Sequence, residues 1–188
     1  AVGAYKAGKM DDAQLNAVES SACPGCGSCS GMFTANSMNC ITEVIGMSMP
    51  GNSSTPGRSQ EMQELAKAAG KQVMKLYAKK ITARQIITKE SITNAIKTCM
   101  AIGGSGNTII HVPAVATESG IEMNFSDIYA AASFEIPLLV GVRPNGPYNM
   151  DQYAKAGGTQ AILHELRKHL DTNCMSVNEK TIDRKSVV

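Results

Sequence analysis

The sequence predicts an α/β fold in which helices surround a small, mainly parallel sheet. Several stretches carry apolar residues at helical spacing, and most begin at a residue that can cap a helix. One short apolar run, Pro137–Val142, is bounded by turn residues, which is typical of a buried parallel strand. The 188 residues are sufficient for one domain with a hydrophobic core.

The first half of the chain is predicted to be helical on both sides of a loop at 22–36. Short helices are expected over residues 1–8 and after a cap at Asp11 or Asp12. A helix over 34–47 would place its apolar side chains on one face. Ser59 caps a longer helix to about residue 80. The apolar stripe predicted to be buried on that helix is Met62, Leu65, Ala69, Val73 and Leu76.

The second half alternates predicted helices with turns. Thr88 caps a helix that is expected to bury Ile92, Ile96 and Cys99. The next helical run must be kinked or interrupted at Pro113, because proline has no amide hydrogen. A second strand is a candidate at 108–112. After the predicted strand at 137–142, a turn at 144–148 leads to a last helix capped by Thr159.

Composition excludes several classes of protein. The formal net charge is +2 and the charges are interspersed, so nucleic acid and membrane surfaces are not expected as partners. The chain has no apolar run of about 18 residues and no signal peptide, which favours a cytoplasmic protein. Six cysteines, three of them clustered, fit a reduced compartment and metal chemistry better than a disulfide scaffold. A chain that starts at Ala1 inside a helical run is predicted to be a fragment of something longer.

The loop at 22–36 carries the chemistry of the sequence, with Cys23, Cys26 and Cys29 spaced three residues apart among Gly, Ser and Pro. Thiolates suit zinc or iron–sulfur clusters. A ferredoxin run would need a fourth cysteine where Phe33 stands, and a zinc site would need two more ligands from elsewhere. The third interpretation is that the cysteines are small buried hydrophobic residues. Spacing alone leaves all three open.

Other polar residues have two interpretations each. Ser28, Ser30 and Thr34 lie near a helix N-terminus, where free amides could bind cluster sulfur or a carboxylate, or could simply be capped. Gly103–Asn107 could hold an anion or form an ordinary turn at a helix start. His111 lies in an apolar run and is expected to be a buried core residue.

The stretch CPGCGSCSGMFTAN resembles the signature of the dihydroxy-acid dehydratase family, which also contains sugar-acid and 6-phosphogluconate dehydratases. Ser91–Gly120, with GGSGN, is similar to the family's GGSTN segment, although Gly106 stands where the family has threonine. Pro137–Leu166 resembles the family's later strand, turn and Ala-Gly-Gly helix. This resemblance implies that residues 1–188 are a partial N-terminal dehydratase domain with a cluster loop at 22–36, and that its α/β fold is the latter part of that domain.

The resemblance also implies an activity and cofactors. The family removes water from a 2,3-dihydroxy carboxylic acid to give a 2-oxo acid, a step of branched-chain amino-acid biosynthesis. It uses an iron–sulfur cluster, 2Fe–2S or 4Fe–4S, as a Lewis acid, together with Mg²⁺. The implied partners are a small dihydroxy acid and a second copy of the chain in a homodimer. The alternatives are a sugar-acid dehydratase and a metal-binding module without enzymatic activity.

Within this sequence the family's cluster cysteine matches Cys29, whereas Cys23 and Cys26 match positions that vary and are less favoured as iron ligands. The family's other cluster cysteines, its magnesium ligands and its catalytic serine match no position within 1–188. The resemblance therefore implies one metal ligand and no catalytic residue in this chain. The chain alone is expected to be inactive and to hold no stable cluster.

Overall fold

The computed structural model describes residues 1–22 and 27–182. Within these ranges the regular secondary structure is helical, and none of the described helices is long and apolar enough to cross a membrane. A single 3₁₀ turn covers Arg167–His169. The α-helices are α1 (Val2–Lys6), α2 (Asp12–Ala22), α3 (Thr34–Ile45), α4 (Gln60–Ala78), α5 (Ala83–Ile86), α6 (Lys89–Ala101), α7 (Thr108–Glu118), α8 (Phe125–Glu135), α9 (Met150–Lys155) and α10 (Gly158–Glu165).

The predicted α/β fold with a parallel sheet is wrong, because the described part of the chain contains no β-strand. The expected strand Pro137–Val142 has no strand beside it. Its Leu139 amide donates to the Ala101 carbonyl at the end of α6, at 2.8 Å, and Val142 makes an isolated bridge to Tyr148. A short apolar run has the same pattern whether it pairs with strands or packs on helices, and here it packs on a helix.

The second strand candidate, 108–112, is also helical and forms the start of α7. The predicted interruption at Pro113 is absent, since α7 continues to Glu118. Proline in a helix removes one backbone donor, and the carbonyl that loses it belongs to Ile109. Ile109 is 57% exposed, so water can solvate this side of the helix.

The core is built around α3 and α6, which pack directly on each other, with α7 and α8 against α6. The predicted inward positions of α6 are confirmed, since Ile92, Ile96 and Cys99 are buried. The cap of α6 is also confirmed, because the Thr88 hydroxyl accepts from the Ser91 amide at 3.2 Å. Buried apolar side chains of α3 are Cys40, Ile41, Val44 and Ile45.

Helix α4 departs from its predicted burial. Ser59 caps it as expected, accepting from the Met62 amide at 3.1 Å, but none of its residues is buried. Val73 is 57% exposed and Tyr77 is 79% exposed. An apolar cleft of about 460 Å³ separates α4 from residues 47–49 and 81–86. The apolar stripe predicts a face that requires a cover, but the pattern does not say whether the described residues supply one.

Candidate functional site

Two backbone hydrogen bonds hold the described part of the cysteine loop, residues 27–33, against the segment between Arg143 and Met150. The Met32 amide donates to the Arg143 carbonyl at 2.6 Å. The Met150 amide donates to the Ser30 carbonyl at 2.8 Å. The loop is therefore fixed at positions 30 and 32 by a turn that follows more than 100 residues later in the chain.

Asn36, in the first turn of α3, fixes the same loop from the other side. Its side chain is buried, and its Nδ2 donates to the Cys29 carbonyl at 2.6 Å and to the Gly31 carbonyl at 2.7 Å. Its Oδ1 accepts a hydrogen bond from the Ser28 hydroxyl. Backbone carbonyls that turn inward must find donors, and here one side-chain amide supplies both.

Cys29 lies in the part of the loop that Asn36 holds by hydrogen bonds, and it is exposed to solvent. The other cysteines within the described ranges, Cys40, Cys99 and Cys174, are buried. Burial raises the pKa of the Cys40 and Cys99 thiols, so these two are poor nucleophiles and poor metal ligands. The less favoured ligands Cys23 and Cys26 lie outside the described residues.

An accessible thiol on a braced loop fits the chemistry of a soft metal centre, and Cys29 could hold one iron of a cluster. Among residues 1–22 and 27–182, no three His, Cys, Asp or Glu side chains lie close enough together to hold a metal ion. The described residues therefore fit a cluster site to which this part of the chain contributes one ligand, Cys29. The remaining ligands would have to come from other positions.

The Gly103–Asn107 segment meets the start of α3 beside this loop. The Ser105 amide donates to the Ser37 hydroxyl at 2.9 Å, and the Ser105 and Thr34 hydroxyls are 2.9 Å apart. The Asn107 Nδ2 donates to the Thr34 hydroxyl, also at 2.9 Å. The predicted turn at a helix start is present, because the Thr108 amide donates to the Ser105 carbonyl at 3.0 Å. Thr34, Ser105 and Asn107 thus form a polar cluster at the N-termini of α3 and α7.

The turn after Val142 contacts both the Gly103–Asn107 segment and the cysteine loop. The Asn145 Nδ2 donates to the Gly103 carbonyl at 2.7 Å, which links this turn to the Gly103–Asn107 segment. Gly31 lies so close to the turn that a Cβ added there would be 2.7 Å from the Arg143 carbonyl oxygen. The stretches that resemble family motifs in the sequence therefore lie together in space.

Gly31→Ala is expected to destabilise the chain by about 1–3 kcal/mol, because the new methyl group would push the cysteine loop away from the Arg143 backbone. The methyl would also lie 2.6 Å from the Phe33 ring, but that half-exposed ring can move, whereas the carbonyl is held. Urea unfolding of the 188-residue chain measures the loss.

Gly106→Ala is the matched control for this substitution, since a Cβ at Gly106 would meet no atom within 4 Å. We expect its free energy of unfolding to change by less than about 0.5 kcal/mol. Equal effects of the two substitutions would show that the loop and the turn are not in close contact.

A buried carboxylate lies in the core on α3, the helix that follows the cysteine loop. Glu43 of α3 is fully buried, and its oxygens accept from the Gly51 amide at 2.8 Å, the Ser53 amide at 2.9 Å and the Gln160 side-chain amide. These bonds tie residues 51–53 to α3 and α10. The loop that contains residues 51–53 continues to Gly57, which lies close to the cysteine loop. A Cβ added at Gly27 would be 3.8 Å from the Gly57 Cα.

Sequence reasoning missed Glu43, although a signal was present. Glu43 lies beside Val44 and Ile45 in the buried part of α3. The loop that follows is not helical, so its backbone amides need hydrogen-bond acceptors other than helical carbonyls. A buried carboxylate next to such a loop is a common acceptor for backbone amides. The hydroxyls of Ser53 and Thr159, 2.7 Å apart, extend this network.

The structure also corrects the prediction for His111, which is exposed instead of buried in the core. It lies on α7 between the exposed Ile110 and the buried Val112, so the apolar run in the sequence covers both faces of one helix. Its backbone amide donates to the Asn107 carbonyl at 3.1 Å, as an ordinary bond of the first helical turn.

The comparisons with known proteins agree with these motifs. The family described as Dihydroxy-acid/6-phosphogluconate dehydratase N-terminal matches residues 1–185, and the chain belongs to this family. The resemblance seen in the sequence is therefore confirmed.

Two curated relatives illustrate the match. The chain is 47% identical over 183 residues to a dihydroxy-acid dehydratase of Desulfatibacillum aliphaticivorans, covering 96% of this chain and 33% of the relative. It is 49% identical over 175 residues to a dihydroxy-acid dehydratase of Caldicellulosiruptor saccharolyticus, covering 91% of this chain and 32% of the relative. The chain thus spans about a third of the length of the curated relatives it matches.

Proposed function

We propose that this chain is part of an iron–sulfur dehydratase that converts a 2,3-dihydroxy carboxylic acid to a 2-oxo acid in branched-chain amino-acid biosynthesis. The single observation that carries the proposal is an accessible Cys29 thiol on a loop braced by buried Asn36, in a chain of a dehydratase family. The names of the relatives support the substrate class, because they are dihydroxy-acid dehydratases.

The reaction removes the C3 hydroxyl and the C2 proton as water, and the enol that remains becomes the ketone. A bound cluster with one iron not saturated by protein ligands would supply a Lewis acid for the departing hydroxyl. The part of this chain in the proposal is to hold one iron through Cys29. The polar cluster of Thr34, Ser105 and Asn107 would supply hydrogen-bonding groups at the edge of that site.

The proposal extends to the whole protein on the strength of the family membership. Residues 1–188 would form part of its N-terminal domain, with 22–36 as the cluster loop. The rest of the protein would supply the other cluster cysteines, the ligands of Mg²⁺ and the base that removes the C2 proton. We propose a homodimer in the cytoplasm.

The purified 188-residue chain is expected to retain well under one cluster after anaerobic treatment with iron and sulfide, and to show no dehydratase activity. The physical reason is that one thiolate cannot hold a cluster whose binding depends on several. Iron and acid-labile sulfide assays with a visible absorption spectrum make the measurement. A stoichiometric cluster in the chain alone would contradict it.

The full-length protein provides the comparison for this experiment. It is expected to hold a stoichiometric cluster and to dehydrate 2,3-dihydroxyisovalerate in preference to aldonates. Preference for an aldonate would assign it to the sugar-acid branch. Zinc without iron or sulfide, and no dehydration of either substrate, would mean a metal-binding module and would refute the proposed function.

A further inference from the structure

We propose that Asn36 is a positioning residue that sets the direction in which the Cys29 thiol meets iron, an inference that rests on the proposed function. Asn36 is 3% exposed, and its Nδ2 donates to the carbonyls of Cys29 and Gly31 at 2.6 and 2.7 Å. The carbonyl, Cα and Cβ of one residue are joined by fixed bond geometry. Holding the Cys29 carbonyl therefore limits the Sγ position to the few side-chain rotamers.

Asn36 also holds a part of the loop that the other anchors do not reach. The Arg143 carbonyl and the Met150 amide fix Met32 and Ser30, both on the C-terminal side of Cys29. The Asn36 Oδ1 accepts from the Ser28 hydroxyl, on the N-terminal side. Asn36 thus holds Cys29 from both sides through one rigid side chain, which is the role that residues around metal ligands commonly have.

The isosteric variant Asn36→Asp isolates the two donated hydrogen bonds. An aspartate has the same shape and can still accept from Ser28, but it places an oxygen against the Cys29 and Gly31 carbonyl oxygens instead of a donor. The variant is therefore expected to release the loop while leaving the packing of α3 almost unchanged. Asn36→Ser, whose hydroxyl is too short to bridge both carbonyls, serves as a second variant where the first does not fold.

The chain offers a matched control in Asn94 on α6. Asn94 is 2% exposed, and its Nδ2 donates to the Asp171 carbonyl at 2.8 Å while its Oδ1 accepts from the Asp171 amide at 2.9 Å. It is a buried asparagine that clamps backbone in the same way, but it holds the segment after the 3₁₀ turn. Asn94→Asp therefore reproduces the chemical change away from the cysteine loop.

The first measurement is hydrogen exchange of the Met32 amide in the 188-residue chain. Asn36→Asp is expected to accelerate this exchange at least about tenfold, because the loop loses two of its hydrogen bonds. Asn94→Asp should change it by less than about twofold, although both variants lower the melting temperature. Equal exchange in the two variants would overturn the proposal that Asn36 fixes the loop.

The second measurement is the rate at which a chelator removes iron from the reconstituted full-length protein. We expect Asn36→Asp to accelerate removal by about tenfold or more and to alter the cluster's absorption spectrum. Asn94→Asp should match the wild type within about twofold. Wild-type rates and spectrum in Asn36→Asp would overturn this inference alone, whereas a wild-type protein without iron would overturn it together with the proposed function.

Discussion

Replacing Cys29 with serine in the full-length protein is expected to abolish the iron–sulfur cluster. Serine has the same shape, so the loop that Asn36 and Met32 anchor should keep its fold. The serine hydroxyl is a harder and far less acidic ligand than a thiol, and it does not replace a soft thiolate on iron. Iron and acid-labile sulfide per chain should fall below about a tenth of the wild-type value.

The control substitutions test which thiol matters. Cys23→Ser is expected to be milder than Cys29→Ser, since Cys29 is the iron ligand that we propose. Cys99→Ser probes a buried thiol that the structure places against the Thr108 hydroxyl, at 3.2 Å, and it should leave the cluster content unchanged. Equal loss of iron from Cys23→Ser and Cys29→Ser would contradict the assignment and support a ferredoxin-like site.

Glu43→Gln is expected to destabilise the chain by about 2–4 kcal/mol. The buried carboxylate accepts from two backbone amides and from the Gln160 side chain. A glutamine keeps only one oxygen and places its own NH₂ against one of these donors. A buried donor is then unpaired, and hydrogen bonds to a charged acceptor are lost. Urea unfolding of the 188-residue chain measures the difference.

Glu64→Gln is the matched control for this prediction. Glu64 is exposed on α4 and accepts a hydrogen bond only from the Gln60 side chain within the described structure, at 3.1 Å. Its substitution should change the free energy of unfolding by less than about 0.5 kcal/mol. Should Glu43→Gln unfold at the same urea concentration as the wild type, the buried carboxylate would not anchor residues 51–53.

Several parts of the fold that depend on local chemistry were predictable from the sequence. The helix caps at Ser59 and Thr88 follow from side chains that satisfy free amides. The predicted cap at Thr159 is wrong, because α10 begins at Gly158 and Thr159 lies inside it. The inward positions of α6 follow from helical spacing, since a helix has a fixed period. The resemblance identified the cysteine loop and Gly103–Asn107 as separate family motifs. The hydrogen bonds from Ser105 and Asn107 to α3 show that the second motif contacts the helix that follows the cysteine loop, which the sequence did not predict.

Features that depend on distant partners were not predictable. The run at 137–142 has the composition of a strand, but a strand exists only where another strand pairs with it. The stripe on α4 is amphipathic, but no single-sequence pattern says what covers it. In the sequence, Asn36 has the pattern of an ordinary helical residue. Its partners Cys29 and Gly31 belong to a loop without periodicity, so no spacing rule links them to Asn36. Such polar clamps are visible only once the backbone around them is known.

The most direct test of the central claim combines metal analysis and catalysis on the full-length protein purified without oxygen. We expect stoichiometric iron and sulfide together with dehydration of 2,3-dihydroxyisovalerate in the wild type, and loss of both in Cys29→Ser. A metal-free protein that dehydrates this substrate at the full rate would refute the proposed function.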